Sequence, residues 1–154
     1  MVSMEEYDVL VVGSGSGMTI ATNAVNSGFK TAVVEHGPMG GTCLNRGCIP
    51  SKMLIYPADV IAMIHAASEL GIHATVGSID FKGIMSRMHR AVDEDSRHQG
   101  LAVENASPRI KWYKDTGEFV SDHTMKTGGH LIRGEKVFIA SGARPGIPPV
   151  KGLE

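Results

Sequence analysis

Short apolar runs rich in β-branched residues alternate with helical periodicity in the first third of the chain. Asp8-Val9-Leu10-Val11-Val12 is such a run, of the kind that forms a strand buried on both faces. It ends at Gly13-Ser14-Gly15-Ser16-Gly17. Met18, Ile20, Ala21, Ala24 and Val25 then recur at helical spacing, and Ser27-Gly28 stops that helix. Thr31-Ala32-Val33-Val34-Glu35 is a second buried strand. Strand, glycine loop, helix and strand predict a βαβ unit, a parallel pair joined by a right-handed crossover.

Further along, Cys48 to Leu70 predicts a helix. Pro50 is tolerated in its first turn, Pro57 is expected to kink or interrupt it, and Gly71 caps its end. Asp80 is the expected N-cap of a second long helix with Phe81, Ile84, Met85, Met88 and Val92 on one face, fading near Gly100 to Asn105. From Ile110 the period drops to two. Ile110 to Tyr113, Glu118 to Val120, His123 to Lys126, His130 to Ile132 and Lys136 to Ala140 read as strands, with turns at Thr127-Gly128-Gly129 and Arg133-Gly134-Glu135. Trp112 and Tyr113 read as sheet packing and Met85 and Met88 as helix core. Arg87, Arg90 and Arg97 read as a solvated helix face.

Composition narrows the function classes. The 154 residues suffice for one domain with a core, and a formal net charge of -1 gives no basic excess for nucleic acid or an anionic membrane. No uninterrupted apolar run approaches the ~18 residues of a membrane helix. Met1 to Glu6 lacks a signal peptide's basic start and apolar core, so the expected address is cytoplasmic.

Two loops carry the candidate chemistry. Gly13 permits a tight strand-to-helix turn, and Gly15 lets a pyrophosphate approach backbone N–H groups at the helix N-terminus. Met18 stands where a third glycine is usual. Glu35, at the end of the second strand, is placed to accept both hydroxyls of an adenosine ribose. His36 follows it as a candidate adenine contact. The second loop, Gly40 to Lys52, reads Gly-Gly-Thr-Cys-Leu-Asn-Arg-Gly-Cys-Ile-Pro-Ser-Lys and holds both cysteines of the chain, Cys43 and Cys48. They could form a structural staple, a metal pair or a redox couple. A bridge would close so short a loop that it gains only about 2 kcal/mol from chain entropy. The seven histidines are scattered and supply no structural zinc spacing, so no metal site is expected. The redox couple fits best: Cys48 lies at a predicted helix N-terminus that favours a thiolate, with Lys52 one turn on.

The segments Asp8 to Gly17, Glu35, Gly40 to Lys52 and Ile139-Ala140-Ser141-Gly142-Ala143-Arg144-Pro145 resemble the flavin-dependent pyridine nucleotide–disulfide oxidoreductases. That family includes dihydrolipoamide dehydrogenase, mercuric reductase, glutathione reductase and mycothiol-disulfide reductase. By Leu44, Ile49 and Ser51 the cysteine loop is most similar to dihydrolipoamide dehydrogenase. The resemblance implies an α/β fold: a Rossmann-like FAD-binding domain with a parallel sheet and a three-stranded antiparallel β-meander near its C-terminal end, incomplete relative to the family. It implies FAD, with its pyrophosphate at Gly13, Ser14, Gly15, Ser16 and Gly17 and further contacts at Glu35, His36, Gly41, Thr42, Cys43, Cys48, Lys52, Thr116, Gly117, Ala140, Ser141 and Gly142. Cys48 would be the charge-transfer thiol facing the flavin and Cys43 the interchange thiol that meets the substrate. Arg46 stands where Val is commonest, and Ser141 replaces a usual Thr.

Family members are about three times as long. The resemblance therefore implies an N-terminal portion, residues 1–145, with residues 146–154 starting a linker to an NAD(P)H-binding domain. The parent would be a homodimer acting with NAD(P) on a small dithiol or disulfide, or on a lipoyl-carrying protein. This portion alone would not turn over. Two alternatives are a mercuric or low-molecular-weight disulfide reductase of mycothiol or glutathione type, and a non-catalytic nucleotide-binding or thiol-switch module.

Overall fold

The computed structural model describes residues 4–106, 108–144 and 146–153. Pro145 and the first three residues lie outside them. Six strands form one sheet: β1 (Met4–Val12), β2 (Thr31–Val34), β3 (Ile110–Tyr113), β4 (Gly117–Ser121), β5 (Thr124–Thr127) and β6 (His130–Ile139). Their order is β3-β2-β1-β6-β5-β4. The first four positions are parallel neighbours, and β6, β5 and β4 are antiparallel. The strand β6 thus closes the meander and also pairs with β1 from end to end. Four helices accompany the sheet: α1 (Gly17–Asn26), α2 (Gly41–Arg46), α3 (Cys48–Ala66), which runs into a 3-10 turn at Ala67–Leu70, and α4 (Phe81–Asn105).

Alternation along the central strands builds two cores. Val9, Val11 and Val33 face Ala21 and Ala24 of α1 and Val103 of α4. Leu10, Ala32 and Val34 point the other way and meet Tyr7, Tyr113, Met125 and Ile132, the last two from the antiparallel strands. The βαβ unit is present as expected, and Trp112 packs against the first core. Asp80 caps α4 by accepting a hydrogen bond from the Gly83 N–H at 2.9 Å.

Three expectations need correction. Arg133-Gly134-Glu135 is not a turn: β6 runs through it, because a bare Gly134 lets the strand close onto β1. A Cβ there would sit 2.6 Å from the Leu10 Cβ. Pro57 does not interrupt α3, which is continuous from Cys48 to Ala66. The helix α4 ends at Asn105, within the expected fade from Gly100 to Asn105. Gly100 is buried, with the Trp112 ring so close that a Cβ would lie 2.9 Å from it.

The third correction concerns apolarity. The helical run over 41–70 is long and apolar enough to cross a membrane by length and composition alone. Its 18-residue window has a mean hydropathy of 1.3 and none of it is buried. Scattered charges such as Lys52 and Asp59 break it into short apolar stretches, which is why no single run stands out in the sequence. In the fold α3 packs against α4, and Arg87 donates to the Met53 carbonyl at 3.3 Å. Phe81, at the start of the expected apolar face of α4, stays exposed, while Met88 and Val92 are buried.

Candidate functional site

The parallel strands end together at Val12, Val34, Tyr113 and Ile139, so the loops that follow share one edge of the sheet. That carboxyl edge is where open α/β sheets bind ligands. Gly13 follows β1, Glu35 and His36 follow β2, Thr116 and Gly117 lie beyond β3, and Ala140, Ser141 and Gly142 follow β6. The sheet continues into these loops through backbone hydrogen bonds, Gly13 N–H to the Val34 carbonyl (2.9 Å) and Ala140 N–H to the Val12 carbonyl (2.7 Å).

Two crevices open on this edge. One, of about 200 Å³, is lined by Gly13, Glu35, His36, Thr116, Gly117 and Ser141. The other, of about 280 Å³, shares Glu35, His36 and Ser141 and extends to Gly41, Arg46, Gly142 and Arg144. A larger cavity of about 570 Å³ lies between α1 and α4, but its lining from Met18 to Ile110 contains no charged side chain. Chemistry, not size, marks the sheet edge as the site.

Glycine makes the crevices possible. Gly13 has φ of 101°, a conformation L-residues avoid, and a Cβ there would collide with the Ala140 carbonyl oxygen. A Cβ on Gly41 would come within 2.5 Å of the Gly15 Cα. The start of α2 is therefore packed directly onto the glycine loop, which ties the cysteine-bearing helix to the first turn of α1. That first turn has no side-chain cap and no acidic residue; its Met18 and Thr19 N–H groups donate to the Gly15 and Ser16 carbonyls, each at 3.2 Å, and the positive end of the helix dipole faces the loop.

Glu35 is held in place before any ligand arrives. Its carboxylate accepts from the Ser14 N–H (3.0 Å), the Ser14 hydroxyl (2.9 Å) and the Gly37 N–H (2.8 Å). Burial pushes its pKa up, but these hydrogen bonds and the neighbouring His36 outweigh it, so the carboxyl is held below its usual value. Ser14 is buried, and its hydroxyl also accepts from the Gly40 N–H at 3.2 Å. Its side chain thus joins the glycine loop, the β2 end and the cysteine loop.

Cys43 lies on α2 and Cys48 is the first residue of α3, both exposed and both free thiols. Gly47 forms the break between the helices. A Cβ on it would lie 3.0 Å from the Thr42 carbonyl oxygen and 3.5 Å from the Cys43 Cα, so the chain turns tightly enough to bring the thiols together. Hydrogen bonding to the Cys48 side chain, followed by desolvation and the Cys48 charge, raises the Cys43 pKa. The Cys48 backbone and Lys52 oppose this without reversing it. The Cys43 thiol is thereby held above its usual value. Thr42 and Lys52 are exposed and, like the thiols, do not line the two crevices.

Several organising residues escape a reading of the sequence. The short helix α2 was not expected. Asn45, which follows Gly41 by one helical turn, fastens α2 to the preceding loop by donating to the Met39 and Gly41 carbonyls, each at 2.9 Å. Its place inside the cysteine motif was the available signal. Ser96 on α4 donates to the Met39 carbonyl at 2.8 Å, and the Trp112 indole N–H donates to the Glu35 carbonyl at 3.1 Å. No local pattern announces these contacts, because their partners are far away in the chain. Among the described residues no three His, Cys, Asp or Glu side chains converge as a metal site would need.

Known proteins are similar to the chain in sequence and in fold. The chain is 38% identical over 152 residues to the dihydrolipoyl dehydrogenase of Chlamydia pneumoniae, covering 94% of this chain and 32% of that protein. It is 36% identical over 154 residues to the mycothione reductase of Mycobacterium tuberculosis, with 95% and 33% covered. Among solved structures, the HOCl-induced flavoprotein disulfide reductase RclA from Escherichia coli superposes with a TM-score of 0.77 at 28% identity. That match covers 94% of this chain and 30% of the other. The chain thus spans about a third of the length of the relatives it matches. A family model described as "Pyridine nucleotide-disulphide oxidoreductase", whose members are FAD-dependent and use NAD(P), matches residues 7–154. The glycine cradle, the tethered Glu35, the adjoining cysteine pair and this match across nearly the whole chain establish it as a member of the pyridine nucleotide–disulphide oxidoreductase family.

Proposed function

We propose that this chain is the FAD-binding portion of a dithiol/disulfide oxidoreductase of the dihydrolipoamide dehydrogenase type. The parent would pass electrons between NAD(P)(H), FAD, the Cys43–Cys48 couple and a thiol substrate. The observation that carries the reading is the packing of Gly41 on Gly15, which joins a dinucleotide cradle to a two-thiol helix pair. The cradle fits the cofactor: close approach needs the absent Cβ atoms of Gly13, Gly15 and Gly41, and ribose recognition needs a fixed carboxylate, which Glu35 supplies.

In the dithiol-oxidising direction a substrate thiolate attacks Cys43 Sγ of the oxidised pair, and Cys48 Sγ leaves as a thiolate. The second substrate thiol then displaces Cys43, giving a substrate disulfide, a Cys43 thiol and a Cys48 thiolate. Cys43, whose pKa is raised, takes up a proton as it leaves. Lys52, one turn beyond Cys48, places a cation near the Cys48 thiolate. A bound FAD supplies the exchange of an electron pair with a nicotinamide that sulfur alone cannot perform. The base that deprotonates the substrate is assigned to a part of the parent beyond this chain. The reading places the cofactor portion at residues 1–145 and the start of a linker at 146–154. It also assigns a homodimeric parent, a cytosolic address, and a small dithiol, a small disulfide or a lipoyl-carrying protein as partner.

The test is titration of the purified chain with FAD. Trp112, the single tryptophan, donates to the Glu35 carbonyl and so reports on the site by its fluorescence. Saturable quenching, and two thiols released on two-electron reduction of the oxidised protein, are expected. Failure to bind FAD overturns the cofactor assignment. NADH-dependent lipoamide turnover by the chain alone would overturn its assignment as one portion of a larger enzyme.

A further inference from the structure

The crevice of about 280 Å³ has an unusual charge lining. Arg46 closes it from the end of α2 and Arg144 from the segment after β6, with His36 on the β2 side. Both arginines are exposed, and among the described residues neither has a hydrogen-bond or ion-pair partner. The one carboxylate in the lining, Glu35, is already engaged by Ser14 and Gly37. Two unpaired guanidiniums from separate elements therefore border a cleft whose nearest acid is satisfied by other groups. Thr42 and Arg46 are also four residues apart on α2, which sets them on one face of that helix.

A planar guanidinium with several N–H donors matches phosphate oxygens better than any other side chain. We propose that Arg46 and Arg144 form a two-armed clamp for the diphosphate of the ADP half of FAD, reaching it from outside while the glycine loop approaches from the backbone side. The proposal rests on the dinucleotide reading above and assigns two residues that the glycine fingerprint does not include. It also gives a purpose to the charge at position 46. The clamp makes affinity for the cofactor depend on its phosphates more than on its adenosine.

Calorimetric titration of the full chain with ADP and with adenosine separates these contributions. Arg46→Gln and Arg144→Gln are each expected to weaken ADP about five- to tenfold, and the double variant more than either, while adenosine changes by less than about twofold. Glu35→Gln should weaken ADP and adenosine alike, because it acts on the ribose. FAD must displace ADP, and displacement by NADH at equal concentration overturns the assignment to FAD. Unchanged ADP affinity in the double variant, or an equal loss for adenosine, overturns the clamp and leaves the dinucleotide reading standing. If the unsubstituted chain binds neither ADP nor FAD, both fall. Circular dichroism checks folding, which exposed arginines should not disturb.

Discussion

Gly13→Ala tests the reasoning about the cradle most directly. A Cβ at this position would lie 2.2 Å from the Ala140 carbonyl oxygen, 2.6 Å from its carbonyl carbon and 2.9 Å from the Ser141 nitrogen. All three are backbone atoms, so no side-chain rotation relieves the clash. The residue also has φ of 101°. A left-handed conformation costs a non-glycine residue about 1–2 kcal/mol, and overpacking a tight site adds about 1–3 kcal/mol. The substitution should therefore cost about 2–5 kcal/mol, a large share of the ~5–15 kcal/mol that holds a domain together. Gly28→Ala is the internal control: its φ is 88°, but nothing lies within 4 Å of a Cβ there. It should incur only the conformational cost, about 1–2 kcal/mol. Urea unfolding followed by circular dichroism and by Trp112 fluorescence measures both. The clash has a further consequence, since relief requires β1 and β6 to separate where Ala140 N–H meets the Val12 carbonyl. FAD binding should thus fall in Gly13→Ala and persist in Gly28→Ala. Equal destabilisation by the two substitutions would refute the steric argument, as would a Gly13→Ala cost below about 0.5 kcal/mol.

Three other outcomes are expected. Cys48→Ala should lower the pH midpoint for alkylation of Cys43, because the hydrogen bond and charge that raise the Cys43 pKa are removed; iodoacetamide rates against pH measure it, and an upward move would contradict the assignment. Ser96→Ala removes one of two donors to the Met39 carbonyl, Asn45 keeping the other, and should cost about 0.5–1.5 kcal/mol in urea unfolding, while an unchanged midpoint would show that the tether from α4 contributes nothing net. Glu5 is held down to about 2, first by its hydrogen bond from Lys111, against an opposing push from burial, with Tyr7 and Tyr113 assisting. A depressed carboxylate stabilises the fold above its ordinary value of 4.5 and loses that contribution as pH falls through about 2. Glu5→Gln should therefore be less stable than the parent by about 1 kcal/mol at pH 7, after allowance for solvent screening, and the gap should close towards pH 2.

Most of the framework was legible because it is encoded locally. Val9 to Val12 and Thr31 to Val34 announce buried strands by composition, the glycine loop announces the turn between β1 and α1, and Asp80 announces the start of α4. The candidate site was legible for the same reason: its loops carry glycines and carboxylates whose backbone demands are strict. What was missed depends on distant contacts. Gly134 looks like the centre of a turn between charged residues until Leu10 is placed beside it. Gly100 reads as the start of a fading helix end, and only the fold shows the Trp112 ring filling the space beside it. Ser96 and Trp112 have unremarkable neighbours, and only the fold shows that they grip the segment linking Glu35 to the cysteines. The apolar character of the 41–70 run was diluted by single charges when read residue by residue and emerged once the helix was seen whole.

The pairing of β1 with β6 has a consequence for biosynthesis. Leu131, the partner of Met4, follows it by 127 residues (131 minus 4), and the same interval separates Val12 from Ile139. Of the six strands described here, the first made is thus completed by the sixth. At ~5–20 residues per second, translation alone leaves one edge of β1 without its partner for roughly 6–25 s. During that interval β1 and β2, joined by β3 only near its end, form a narrow ribbon of apolar strands with an open hydrogen-bonding rim. A chain so arranged needs protection while it is being made, and its yield of native protein should respond to elongation speed and chaperone supply before it responds to the stability of the finished fold.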